Sequence, residues 1–172
     1  FLAGVCLVGT GNKSSLAVAI GRLIASMRIH KYGARCTEGV MNDLVVEGYS
    51  RKFRSEGRFS WLFRDRECLE SFSSGGYTVT PQMFYDLLYS MKICSKSIGD
   101  GLKRVPLMLL SGSDDPVTGR MERLVSFFKR YGCPDISAYT ILGYRHAVLR
   151  DGCSLVAFEC ICSWVEGIVL GG

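Results

Sequence analysis

Apolar residues along this chain follow two different spacings. Residues 1–9 form a short apolar run closing on Gly9-Thr10-Gly11, which predicts a strand buried on both faces. The spacing then becomes helical. Leu16, Ile20, Leu23, Ile24 and Met27 share one stripe, predicting an amphipathic helix over 16–27 capped by Ser14 or Ser15. Residues 31–98 continue in a helical but broken pattern. Its clearest member opens at Thr80-Pro81, with Thr80 as cap, and carries Phe84, Leu87, Leu88 and Met91 on one side. At 105–110 the run Val-Pro-Leu-Met-Leu-Leu predicts a second buried strand. A helix over 121–131 follows, stopped by Gly132 and Pro134, then a third strand over 136–142 and a closing helix over 154–165.

Strand, helix, strand and helix in that order indicate an α/β fold: a parallel sheet of three strands with crossover helices. The stretch 12–100 is too long for one crossover and reads as a helical insertion. Residues 1–11 and 101–172 then supply the sheet and its helices within a single partial domain, 1–172. A length of 172 residues suits one domain or a large piece of one, and 48% hydrophobic residues allow a real core. The first residue is Phe rather than Met, which suggests a fragment or a processed product. No apolar run reaches the roughly 20 residues of a membrane span, and no signal-peptide pattern is present. Eight cysteines without a CxxC pair, beside only two histidines, favour free and mostly buried thiols in a reducing compartment such as the cytoplasm. No metal or cofactor is expected. The net charge of +5 is modest, but Arg51, Lys52, Arg54, Arg58, Arg64 and Arg66 alternate with Phe53, Phe59, Trp61 and Phe63. That stretch, 51–66, reads either as a solvated face with its aromatics inward or as a transient contact for an anionic membrane surface. No nucleic-acid partner is expected.

In an open parallel sheet, active residues gather in loops beyond the C-terminal ends of strands. Asp115 follows the second strand and His146 the third, so both should emerge on one rim. An Asp that accepts the Nδ1–H of a His fixes the ring tautomer and stabilises the imidazolium formed when the ring takes a proton from a nucleophile. Pro116 biases Asp115 toward extended backbone and helps aim the carboxylate. A plain Asp-Pro turn and a solvated loop histidine remain the simpler alternative.

The segment Leu109-Leu110-Ser111-Gly112-Ser113-Asp114-Asp115-Pro116-Val117 resembles the acid segment of bacterial lysophospholipase and monoacylglycerol-lipase-like α/β-hydrolases, the serine aminopeptidase-like group. Gly143-Tyr144-Arg145-His146-Ala147-Val148-Leu149 resembles that family's histidine segment. Ala157-Phe158 through Trp164-Val165 is similar to its final helix, and Val8-Gly9-Thr10-Gly11 to its strand after the nucleophile helix. The insertion resembles the family's lid around Tyr49-Ser50-Arg51-Lys52-Phe53, Phe59-Ser60-Trp61-Leu62 and Phe84-Tyr85-Asp86-Leu87-Leu88. The resemblance implies the C-terminal part of an α/β-hydrolase, with Asp115 the triad acid, His146 the general base and a small lipid ester as substrate. It also implies a lid wall of Leu44, Val45, Val46, Phe84, Leu87, Leu88 and Met91.

Such enzymes carry their serine on a Gly-x-Ser-x-Gly elbow ahead of the acid and base. This sequence contains none. Ser113 shares the loop of Asp115, and both Ser111 and Ser113 are expected to bond their own turn. The elbow is therefore expected in a missing N-terminal half of the same fold, and the chain alone should be inactive. Two rivals remain. One is a nucleotide-binding module built on 9–15, although Asn12 before Lys13 breaks the P-loop pattern. The other is a non-catalytic binding protein on a hydrolase scaffold, against which a direct contact of about 2.8 Å between His146 and Asp115 would count.

Overall fold

The structure, a computed structural model, describes residues 2–11, 15–37, 48–75, 79–96 and 101–170. Its elements run β1 (Val5–Val8), α1 (Ser15–Tyr32), a 3₁₀ helix (Arg51–Glu56), α2 (Arg66–Ser74), α3 (Pro81–Lys96), β2 (Leu107–Gly112), α4 (Met121–Arg130), β3 (Ile136–Ile141) and α5 (Ser154–Leu170). The three strands make one parallel sheet in the order β1-β2-β3. Val5 pairs with Leu107 and Leu107 with Ile136, so the three strands start level and point the same way.

The central strand explains why the sheet holds. Every residue of β2 is buried, and its side chains alternate between two cores, as the period of a strand requires. Leu107 and Leu109 pack with Leu124, Phe128 and Cys133, which belong to α4 and the turn after it. Met108 and Leu110 pack with Val148, Cys153 and Ala157, which lead into α5. A run that is apolar on both faces is the pattern of a sheet covered by helices on both sides. β2 starts at 107 rather than 105, and β1 covers 5–8 rather than 1–9.

Helix ends follow local chemistry. Thr80 Oγ1 accepts from the Met83 N–H at 3.1 Å and caps α3, with Pro81 in its first turn. Asp65 caps α2 by accepting from the Cys68 N–H at 3.0 Å. Ser14, the other expected cap, and the lid residues Leu44, Val45 and Val46 lie outside the described residues.

The stripe expected to bury α1 faces the opposite way. Leu16, Ile20, Leu23 and Met27 are exposed, while Val18 and Ala25 on the far side are buried. The cause is close approach. A Cβ on Gly21 would stand 2.6 Å from Cδ1 of Leu88, so α3 crosses α1 over its small residues. Arg22 supports that crossing, its guanidinium about 5 Å from the rings of both Tyr85 and Tyr89. In α3, Leu88 is buried as the stripe implies, but Leu87 is half exposed. α5 likewise shows a second apolar row, Leu155, Phe158, Val165 and Val169, turned away from the sheet.

All eight cysteines are free thiols, but only Cys133 and Cys153 are fully buried, and Cys94 and Cys162 are exposed. The expectation of mostly buried cysteines is corrected here. No helix among the described residues is long and apolar enough to cross a membrane.

Candidate active site

The loops after β2 and β3 leave the sheet at the same rim because the strands are parallel and in register. Their backbones are joined. Ser113 N–H donates to Ile141 O at 3.0 Å, and Asp114 N–H donates to Tyr144 O at 3.0 Å. Gly143 N–H donates to Ser113 Oγ at 2.8 Å. Ser113 therefore bridges to the histidine loop, where a bond within its own turn was expected, because Gly143 (φ 75°) turns its N–H toward the neighbouring loop. Gly112 makes the closeness possible. A Cβ there would collide with the carbonyls of Tyr144 and Arg145.

This junction brings Asp115 to His146. Asp115 Oδ2 lies 3.0 Å from His146 Nδ1, with the carboxylate fully buried and the imidazole 28% exposed. The same oxygen accepts from Thr118 Oγ1 at 2.8 Å, and Oδ1 accepts from the Val117 N–H at 2.7 Å. Burial alone would push the Asp115 carboxyl up. The His146 contact, then Thr118 and the Val117 N–H, outweigh it and hold the carboxyl below its ordinary value. An ionised Asp115 selects the tautomer with a proton on Nδ1, which leaves the Nε2 lone pair to take a proton from elsewhere.

The imidazole is packed from two sides. Gly9, at the end of β1 with φ 61°, leaves room for it: a Cβ would stand 2.9 Å from Cε1. This close approach sets Gly9 against the Asp115–His146 pair. Asn12, Lys13 and Ser14, which the nucleotide-binding reading needs, lie outside the described residues. On the other side the Trp61 ring sits 5.4 Å from the imidazole, and Tyr49 stacks on Trp61 at 5.0 Å. Burial, and then the Asp115 charge, push the Tyr49 hydroxyl up, so it stays neutral beside the carboxylate.

Within 51–66, Phe53 and Phe63 are buried, while the side chains of Arg51, Arg54 and Arg64 are exposed. Lys52 pairs with Asp114 at 2.6 Å and Arg66 with Glu70 at 2.9 Å. Sequence reasoning passed over Arg145 and Asp151. Both are polar residues beside an apolar run, and only their burial, 7% and 2% exposed, marks them as structural. Their adjacency to His146 and to an Asp-Gly turn was the available signal.

No family model and no curated protein matches this chain. Solved structures do. A thermostable carboxyl esterase from Bacillus coagulans superimposes with a TM-score of 0.77 at 15% identity, over 98% of this chain and 57% of the esterase. A lipase in its open form gives 0.75 at 14%, over 97% of this chain and 57% of the lipase. The monoacylglycerol lipase of Paleococcus ferrophilus gives 0.59 at 15%, over 97% and 60%. The chain therefore has the α/β-hydrolase fold, and it spans somewhat over half the length of these relatives.

Proposed function

We propose that this chain holds the acid and base of a serine hydrolase of carboxylic esters, with the nucleophile on the part of the fold that lies outside it. The buried Asp115 carboxylate 3.0 Å from His146 Nδ1, at the rim where both strands end, carries this reading. Direct contact also favours an enzyme over a binding protein that merely kept the scaffold. A binding surface has no use for a carboxylate that fixes a tautomer.

In the reaction, a serine Oγ adds to the ester carbonyl carbon as His146 Nε2 takes its proton. Asp115 stabilises the resulting imidazolium without itself becoming protonated. The tetrahedral intermediate then collapses: the C–O bond to the alcohol breaks, and His146 returns the proton to the departing oxygen. A water molecule releases the acid by the same steps. No cofactor is required.

The substrate class we favour is a small lipid ester, a lysophospholipid or a monoacylglycerol. The insertion supports it with apolar side chains that have no core position, such as Leu87, Met83 and Ile93 of α3, half exposed to open solvent. They suit an acyl chain. Leu88, also expected in that wall, is buried against α1.

A pair without serine or oxyanion hole should leave almost no catalysis, since loss of the serine alone costs orders of magnitude. The purified chain is expected to hydrolyse p-nitrophenyl butyrate at the buffer rate. Enzymatic turnover by the chain alone, abolished in His146→Ala, would place a nucleophile within it and contradict the proposal.

A further inference from the structure

We infer that Arg145 is a positioning residue, and that the segment 51–65 of the insertion is a fixed clasp holding the histidine loop, not a lid that swings away from it. The inference rests on the acid–base reading of Asp115 and His146. It adds to that reading the residues that keep the imidazole in place.

Arg145 is the residue before the base, and its side chain is almost wholly buried in the insertion. One guanidinium nitrogen donates to Ser60 O at 2.6 Å and to Phe63 O at 2.9 Å. The other meets Glu56 Oε2 at 2.7 Å. The guanidinium carbon lies 3.9 Å above the Phe53 ring. A planar fork held at both ends and stacked on an aromatic face has one orientation, which a flexible ammonium would not reproduce. Among the described residues, Nε is buried without a partner. An apolar side chain would fill this space without that cost, so what the guanidinium contributes is direction.

The backbone carries the constraint onward. The His146 N–H donates to Trp61 O at 3.4 Å and the Ala147 N–H to Leu62 O at 2.9 Å. The turn that receives Arg145 thus also binds the next two residues, and its Trp61 ring packs against the imidazole. The loop's two ends are tied to the same segment. Arg64 donates to Gly143 O at 2.8 Å, and buried Asp151 accepts from the N–H groups of Arg64 and Asp65 at 2.7 and 2.9 Å. To lift 51–65 as a lid would break these bonds together, with no compensating contact for the fork of Arg145 or the carboxylate of Asp151 but water. Substrate entry must then use motion elsewhere in the insertion.

The chain has only two histidines, so the ring protons of His146 can be assigned by comparison with His30. In wild type, proton NMR should show a strongly deshielded Nδ1–H of His146 that exchanges slowly with water. Glu56→Gln and Arg145→Lys should leave the His30 signals and the circular dichroism unchanged while speeding that exchange by about tenfold, because the first loses the charge on the anchor and the second the planar fork that fixes its direction. Wild-type exchange rates in both variants would overturn the inference and leave the acid–base reading standing. Should Arg145→Lys fail to fold, Glu56→Gln decides alone, since its side chain is half exposed. Absence of the signal in the wild type would count against the acid–base reading itself.

Discussion

Among the described residues Asp115 has three partners for its two oxygens, and its side chain has no contact with solvent, so the fold sets how readily it takes a proton. Asp115→Asn replaces an acceptor with a donor facing Thr118 or His146. It should destabilise the chain by about 1–3 kcal/mol, as removing one member of a buried polar group does. The pH dependence has a definite sign. The folded carboxyl lies below its ordinary value, so its contribution is complete above that ordinary value and lost as pH falls through the lower, folded one. Chemical denaturation across the acid range measures this: wild type should lose more stability there than Asp115→Asn, and matching profiles would contradict it. That Asp115 and His146 could meet was legible in the sequence because an acid and a histidine follow successive strands, and the resemblance names both. Their supports were not. Thr118 and Asp151 act through burial, and Glu56 and Asp151 through contacts more than 80 residues apart, which no local pattern records.

At the scale of elements, the strands were legible because β2 is apolar on both faces, and α3 because Thr80 and Pro81 mark its start. The α1 stripe misled. Periodicity finds an apolar face but not which of two faces packs, and here Val18, Gly21 and Ala25 win because small residues let α3 come close. The junction of the two loops depends on Gly112, whose lack of a side chain admits the Tyr144 and Arg145 carbonyls. Gly112→Ala should cost about 3 kcal/mol through overpacking against backbone that cannot yield. It should also loosen the Asp115–His146 contact, seen as a lower urea midpoint together with loss of the deshielded imidazole proton. A variant as stable as wild type would show that the loops can part without harm.

Across the whole molecule, the three-stranded sheet has two outer strands, β1 and β3, on either side of β2. Among the described residues β1 pairs only with β2 and keeps a free edge, and the apolar rows on α1 and α5 face solvent. Open edges and exposed rows invite association, so a completing part of the fold that covers them would stabilise the chain, and on the proposed function would also carry the serine. The overlap with only 57% of the Bacillus coagulans esterase matches that description. The most direct measurement is kcat/KM for a p-nitrophenyl ester by this chain joined to a nucleophile-bearing half of its fold, wild type against His146→Ala. An acid–base pair at 115 and 146 predicts turnover in the wild type and a loss of about 10⁴-fold in the variant. Turnover that survives His146→Ala would contradict it.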